Sequence, residues 1–503
     1  MDIIYILERE EYSLKKIMIT IIITIIVVVF LLGFVEKSEK NILKSNSNIV
    51  YSINNIPKNM KNIGSLNTRE QDIICAVSRG LIEIDSNGNM VPSLAKTVEV
   101  TDSGIQYNFT IRDDVYWSNG DAITADDLVQ FFREILTEED EDDIEALLNV
   151  YGAREYLNGS GNFKQTVAIW AEGNNLIMRL NSANDDFLIQ LSKPQYRLRK
   201  NILSWQFIND NYDSLIYSGN YGISSISNNE ICLNRNKKSS LDLPEKIDIV
   251  EDKTEDLALA SFEVGKRDIV MNPPRNQLER LKSEGKLITL PSNEAVYASF
   301  NIDESGIPIN ARKKVYSILN SAIQNYIEQN DSSMILAEGK YYREEESSAD
   351  KLQERKVLTN TDNTWNDDKS IVLVAEDNVD NKELASIISK WIEENTDFTL
   401  VTKLVESDEI EGILDEGYYD LIIINSEIEN ENDVYRVMDE YNEDLSIETW
   451  QGNDYDTVED HMFNSYSIVP LLFYNENIAV NDGITGVSLD YNGNISFSNI
   501  RIK

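Results

Sequence analysis

Ile17 to Val35 reads IMITIIITIIVVVFLLGFV, nineteen residues without one charge. As a helix rising 1.5 Å per residue it is about 28 Å long, close to the hydrocarbon thickness of a bilayer. A helix apolar on every side needs lipid or the centre of a large core around it. A transmembrane segment is therefore expected over 17–35. Lys15 and Lys16 stand before it and Lys37 and Lys40 after it, so the basic flanks do not fix its orientation. A cleaved leader has a shorter apolar stretch and a small-residue exit. Leu31-Leu32-Gly33-Phe34 offers no such exit, and no cysteine for a lipid. The segment reads as an uncleaved signal-anchor.

A chain of 503 residues has room for two or three lobes. Lysine and arginine number 46 against 87 acidic residues, a net charge of −41. Such a surface repels phosphate backbones, which argues against nucleic acid as a partner, and it favours solubility. Two cysteines, Cys75 and Cys232, exclude a disulfide framework and leave either two free thiols or one bridge. There is one histidine, His461. A zinc site of His and Cys lacks its ligands. Asp460-His461-Met462-Phe463 has no nucleophile-elbow context, and no G-x-x-x-x-G-K occurs. The expectation is a protein that is not an enzyme and uses no metal or other cofactor. Glu138 to Asp143 is six carboxylates in a row, without the glycine turn of a calcium loop, and reads as a solvated loop.

Residues 36–62, rich in Asn, Ser and Lys, read as a spacer. Leu81 to Ile84, the turn Asp85-Ser86-Asn87-Gly88 and Met90-Val91 predict a strand–turn–strand unit. Alternation puts Tyr107, Phe109 and Ile111 on one strand face. A helix follows, with Thr124 and Asp127 as a capping box and Leu128, Phe131, Phe132, Ile135 and Leu136 along one stripe. Further on, 369–375, 398–404 and 418–424 read as strands alternating with helices at 382–394 and 408–416. That alternation predicts an α/β lobe with a largely parallel sheet. Between the halves, 341–366 is a polar connection. The tail, 468–500, is strand-rich.

Gly80 to Leu136 carries a dense series of matches. Gly80-Leu81, Pro92-Ser93-Leu94-Ala95, Tyr107-Asn108-Phe109-Thr110-Ile111-Arg112, Trp117-Ser118-Asn119-Gly120 and Thr124-Ala125-Asp126-Asp127 follow one another. In this order and spacing they resemble the peptide-binding class of ABC-importer solute receptors, the oligopeptide and dipeptide-binding proteins. Weaker likenesses continue at Ser218-Gly219-Asn220-Tyr221, Tyr297 to Asn301, Gly417 to Asp420 and Ile468 to Tyr474. The resemblance covers roughly 60–503. It implies an α/β, two-lobed periplasmic-binding-protein-like clamp (Venus flytrap, type II) behind an N-terminal transmembrane helix. The implied division is a cytoplasmic 1–16, the anchor 17–35 and the spacer 36–62. Lobe I follows at 63–289 with a subdomain near 90–205, then lobe II at 290–465 and a return to lobe I at 466–503.

The resemblance also implies a function: an extracellular receptor that closes on peptides and delivers them to the permease and ATPase subunits of an ABC importer, as a monomer tethered to the membrane. Other outcomes within the resemblance are a membrane-anchored sensor without a transport role and a nickel-chelate receptor. A bound peptide's α-amine needs an opposing carboxylate, and the position that matches is Glu429. Relatives carry a tryptophan a few residues earlier, where this chain has Ser426, and the proline of the glycine-rich turn before Tyr221 is missing. Both departures put the ligand, rather than the fold, in question. Tyr474 is a candidate ligand-facing aromatic. Asn67 and Thr68 match where the family's first strand meets the ligand backbone. Tyr151 is a candidate pocket cap, and Asn301 completes the ligand-binding candidates.

Overall fold

A computed structural model of the chain describes residues 48–503, apart from 87, 240–241, 303–306, 331–332, 344–369, 397–398, 429–430 and 442–454. The expected anchor at 17–35 and most of the 341–366 connection lie outside the described residues. None of the described helices is long and apolar enough to cross a membrane. The first described element is strand β1, Asn48–Ile53. Ile49, Tyr51 and Ile53 on it are buried, as are Ile56, Met60 and Ile63 beyond it. This corrects the spacer expected over 36–62: its last fifteen residues belong to the fold. A few apolar residues among Asn, Ser and Lys suffice because β1 lies parallel to a later strand, Tyr51 opposite Ile269.

Helix α1, Thr68–Val77, starts at the N-cap Asn67, whose side chain accepts from the Glu70 amide in a capping box. Asp72 on α1 is fully buried. It accepts from Tyr51 Oη at 2.5 Å, the Ile495 amide at 2.8 Å and Asn494 Nδ2 at 3.2 Å, with Arg69 Nη1 at 3.3 Å. One carboxylate so joins β1, α1 and the C-terminal tail, and its charge is tolerated because four partners surround it.

Strands β2, Ile82–Ile84, and β3, Met90–Pro92, form the expected antiparallel pair. β4, Ala95–Thr101, and β5, Gln106–Ile111, join β6, Ile169–Glu172, and β7, Asn175–Arg179, in an antiparallel sheet ordered β4-β5-β7-β6. Tyr107, Phe109 and Ile111 are buried as the alternation requires. Helix α2, Ala125–Glu138, has the Thr124–Asp127 capping box and buries Leu128, Phe131, Phe132, Ile135 and Leu136. Each such side chain is worth about 1.5–3 kcal/mol. Together they build a core drawn from 81–202. The acidic run after α2 is not wholly solvated. Glu139 is buried and pairs with Arg199 Nη2 at 3.1 Å, both side chains inaccessible to water. Arg199 Nη1 also donates to the carbonyls of Met60 at 3.1 Å and Lys61 at 2.8 Å. A sequence run cannot show which of its carboxylates faces a buried arginine 60 residues away.

The main sheet continues with β8, Tyr221–Ile226, β9, Glu230–Arg235, β10, Lys246–Glu251, and β11, Ile269–Met271. Next comes the long β12, Leu287–Phe300. Helix α3, Ile309–Asn330, and β13, Met334–Leu336, lead on to β14, Ile371–Glu376. Helix α4, Val379–Asn395, β15, Leu400–Val405, helix α5, Ile410–Glu416, β16, Leu421–Glu427, and the long β17, Ile468–Val480, follow. The order is β15-β14-β16-β12-β17-β11-β1-β10-β9-β8, with β13 beside β17. Only β15-β14-β16 are parallel at the far end; β12 is antiparallel to both β16 and β17. The sheet is therefore mixed, not largely parallel, because the chain re-enters through β17. A second large core comes from 295–474. Cys75 and Cys232 are both free thiols.

Removing one partner of a buried ion pair strands the other, a loss of about 3–5 kcal/mol. Glu139→Gln is expected to lower unfolding free energy by roughly 3 kcal/mol, read as a shift in urea midpoint, whereas Glu138→Gln at the half-exposed neighbour is expected to move it by under about 0.5 kcal/mol.

Candidate functional site

β12 and β17 pair along nearly their whole length, but what lies on either side of them changes. At the Leu287 end, β17 pairs with β11; at the Phe300 end, β12 pairs with β16 and β17 with β13. The change falls at a break in register. Pro291 stands opposite Asn475, yet Ala295 stands opposite Phe473. Ser292, Asn293 and Glu294 therefore face one residue, Tyr474. Such a bulge bends and twists a strand pair. Its freed carbonyls are satisfied: Arg343 Nε donates to Ser292 at 2.9 Å and the Ile428 amide to Asn293 at 2.9 Å. Arg343 Nη2 also donates to the Tyr474 carbonyl at 2.5 Å.

Beside this bulge lies a cavity of about 320 Å³. Its walls are the Asn272–Asn276 loop, the start of α4, and the bulge with Tyr474 and Glu476. Arg275 spans it. Its guanidinium pairs with Asp380, and with Glu383 at 2.6 Å, and lies 4.8 Å from the Tyr474 ring centroid. Tyr326 Oη donates to the other oxygen of Glu383 at 2.7 Å. The loop before β12 is thus tied to a helix beyond it by charge-assisted bonds, the strong kind. On the same side, Thr68 Oγ1 at the start of α1 donates to Glu427 Oε1 at 3.4 Å. Glu427 is the direct cross-strand partner of Glu294. Like charges directly opposite are unfavourable. Burial first, then Asp380, Glu476 and Glu427, push the Glu294 carboxyl up to about 7, against the pull of Arg275.

A wider groove of about 1100 Å³ runs along the outer side of α2, past Trp170 and Leu203. Its charges, Asp126, Arg133, Glu134 and Glu138 spread along α2 with Lys164 on a separate short helix, are mixed in sign and distributed over its length, so the cavity at the bulge is the better site.

The model of the bacterial extracellular solute-binding proteins, family 5 Middle, matches residues 89–444. The chain belongs to that family. The dipeptide-binding protein of Lactococcus lactis subsp. cremoris is 32% identical over 127 residues, 25% of this chain and 23% of that protein. The oligopeptide-binding protein OppA of Bacillus subtilis is 25% identical over 283 residues, 53% of this chain and 51% of that protein. The matched stretch spans about half or less of these curated relatives. Among solved structures, a periplasmic oligopeptide-binding protein (OppAIV) of Borrelia burgdorferi superposes with a TM-score of 0.65 at 19% identity. The overlap takes in 91% of this chain and 100% of that chain. The shared fold is the two-lobed α/β fold of periplasmic binding proteins.

The structure sorts the candidate residues of this solute-binding protein. Tyr474 stands opposite the bulge, 4% exposed. Thr68 reaches Glu427, whereas Asn67 is spent on capping α1; both belong to a helix start rather than a strand, because the capping box commits 68–77 to helix. Ser426 lies opposite Ala295, one residue from Glu427. Glu429 lies outside the described residues. Asn301 is buried at the far end of β12, its amide nitrogen bonded to the carbonyls of Gly417 and Tyr419 at 3.1 Å each, a tie within the sheet end rather than a cleft contact. Tyr151 stands out in solvent, 60% exposed. Sequence reading missed Arg275, Glu294, Asp380 and Glu476, which come together only through the register of β12 on β17.

Glu230, Cys232 and Asp248 bring ligand-type atoms within 4.8 Å of one another at the β9–β10 pair, the one such group among the described residues. Lys246 Nζ already lies 2.6 Å from Asp248 Oδ1 and supplies the neutralising charge there.

The raised Glu294 value has a direct consequence. The folded chain holds this proton more tightly than the unfolded chain, so Glu294 favours folding in acid. That contribution is lost as pH rises through about 7. Glu294→Gln is expected to gain roughly 2 kcal/mol on the parent between pH 5 and pH 8, measured by urea unfolding at both pH values.

Proposed function

We propose that this chain is the extracellular receptor of an ABC importer and captures peptides by closing two lobes about β12 and β17. The observation that carries the reading is the hinge itself. One bent strand pair runs from the 295–474 core into the smaller core around Val270, Leu281 and Ala479 and has polar, charged groups from both sides gathered at its bend, inside a family whose named relatives bind dipeptides and oligopeptides. Closure follows from ligand binding better to the closed than to the open state. An extended peptide needs partners for its backbone groups once water is excluded, and strand-like pairing supplies them without reading side chains. We take the lobes to change over at Pro291–Ala295 and Phe473–Asn475, with the N-terminal strand β1 in lobe I.

The anchor at 17–35 holds the receptor to the membrane by a single pass, with 1–16 inside the cell and the clamp outside as a monomer. Glu429 receives the α-amine. The work is binding rather than catalysis, and no cofactor takes part.

Native mass spectrometry of the full chain, released from detergent after purification from cells, is the test. Extra masses spread over short peptides are expected, and Glu429→Gln is expected to weaken binding of a defined tripeptide by about 10- to 100-fold through loss of a charge-assisted bond. A bare chain that pooled di- to pentapeptides do not stabilise against heat defeats the peptide reading.

A further inference from the structure

We propose that the hinge cavity holds a basic side chain of the bound peptide, a lysine or an arginine, between Glu294 and Glu476 and beside Glu427. The proposal rests on the peptide reading above and names the class of peptide that this receptor prefers.

The first observation is a charge imbalance that the protein does not correct by itself. Glu255, Glu294, Asp380, Glu383 and Glu476 line the cavity with Arg275 as its one cation among the described residues. Arg275 is committed to Asp380 and Glu383. Of the other guanidiniums nearby, Arg69 is held by Asp72 and the Gly493 carbonyl, and Arg343 is held by the Ser292 and Tyr474 carbonyls. Glu294 and Glu427 stand directly opposite each other, and among the described residues neither has an ion-pair partner.

The second observation is independent of charge. The Tyr474 hydroxyl, on a residue 4% exposed in the cavity wall, has no hydrogen-bond partner among the described residues, and neither does the buried Oε2 of Glu476. Buried polar atoms without partners are costly. A guanidinium or ammonium entering here satisfies both with charge-assisted bonds. Burial keeps the tyrosine protonated, so it stays a neutral dipole rather than a rival anion.

Size and spacing select an organic cation over a metal ion. Glu294, Glu427 and Glu476 do not bring three oxygens within 4.8 Å of one another, as a metal requires, and the cavity of about 320 Å³ accommodates the end of a long side chain. A cation there is gripped from both sides of the bend, because Thr68 of lobe I already reaches Glu427. Its binding therefore favours closure.

The groups facing Glu294 are Asp380, Glu476, Glu427 and Arg275. A bound cation adds to Arg275 and drives the proton off, so the preference for basic peptides grows as pH rises from 6 to 8.

Isothermal titration of the full chain in detergent with Ala-Lys-Ala and with Ala-norleucine-Ala, equal in shape and unequal in charge, tests this. The expected result is at least about tenfold tighter binding of the lysine peptide at pH 8 and a smaller ratio at pH 6. Glu294→Gln and Glu476→Gln are each expected to bring the ratio toward one, with folding checked by circular dichroism. Equal affinities in the parent chain, or a lysine preference that survives both substitutions, overturns the proposal while leaving peptide binding standing. Binding of neither peptide, nor of any pooled peptide, overturns the peptide reading and this proposal with it. The pH dependence in the parent needs no variant to fold.

Discussion

The pairing of β12 with β17 is the interaction on which the molecule depends. Every other strand of the main sheet belongs to one side or the other. These two run through both, antiparallel, with ten registered pairs interrupted at Pro291–Ala295 and again at Val296–Tyr297. A regular ladder this long would weld the two cores into one plate. The extra residues of the larger bulge break the ladder at the point where β11 gives way to β13 and β16 begins. The same irregularity that permits bending turns Glu294 toward Glu427 and Glu476. The bend and the acidic cluster are one feature of the backbone.

Electrostatics at this bend oppose one another. Arg275 draws the Asn272–Asn276 loop onto α4 and stacks on Tyr474. The uncompensated carboxylates next to it push apart, and part of that repulsion is relieved by a proton on Glu294. Over the whole surface the chain is strongly acidic, but charges farther apart than a Debye length of about 8 Å are screened at physiological salt. Selectivity by charge has to be built at short range, and the cavity at the bend is where acidic side chains gather within that range.

Much of the scaffold was legible in the sequence because its causes are local. The Thr124–Asp127 capping box, the stripe from Leu128 to Leu136 and the alternation of Tyr107, Phe109 and Ile111 each depend on residues a few places apart. The strands near 371, 400 and 421 were likewise marked by short apolar runs. What was hidden depends on distant partners. β1 looked like spacer until it met β11, some 220 residues on. Glu139 looked solvated until Arg199 covered it. The direction of the sheet was misjudged because β17 returns from the end of the chain. The site was least legible of all. Of the residues singled out from sequence, Tyr474 and Thr68 lie at the bend. Glu294, Arg275, Asp380 and Glu476 carry no motif, and only the register that sets them face to face gives them meaning.

Asp72 shows what this architecture asks of the chain as it is made. The carboxylate is buried on α1, yet two of its hydrogen bonds come from Asn494 and Ile495, within ten residues of the C-terminus. β11, next to β1, likewise waits for Ile478 to Val480. Until those residues have emerged, β11 has an unpaired edge and Asp72 lacks two of its four partners. The core drawn from 295–474 lies, in sequence, between β1 and these late residues. An emerging chain therefore meets its assembly steps out of sequence order: the insert can be complete while the body that carries it is still open.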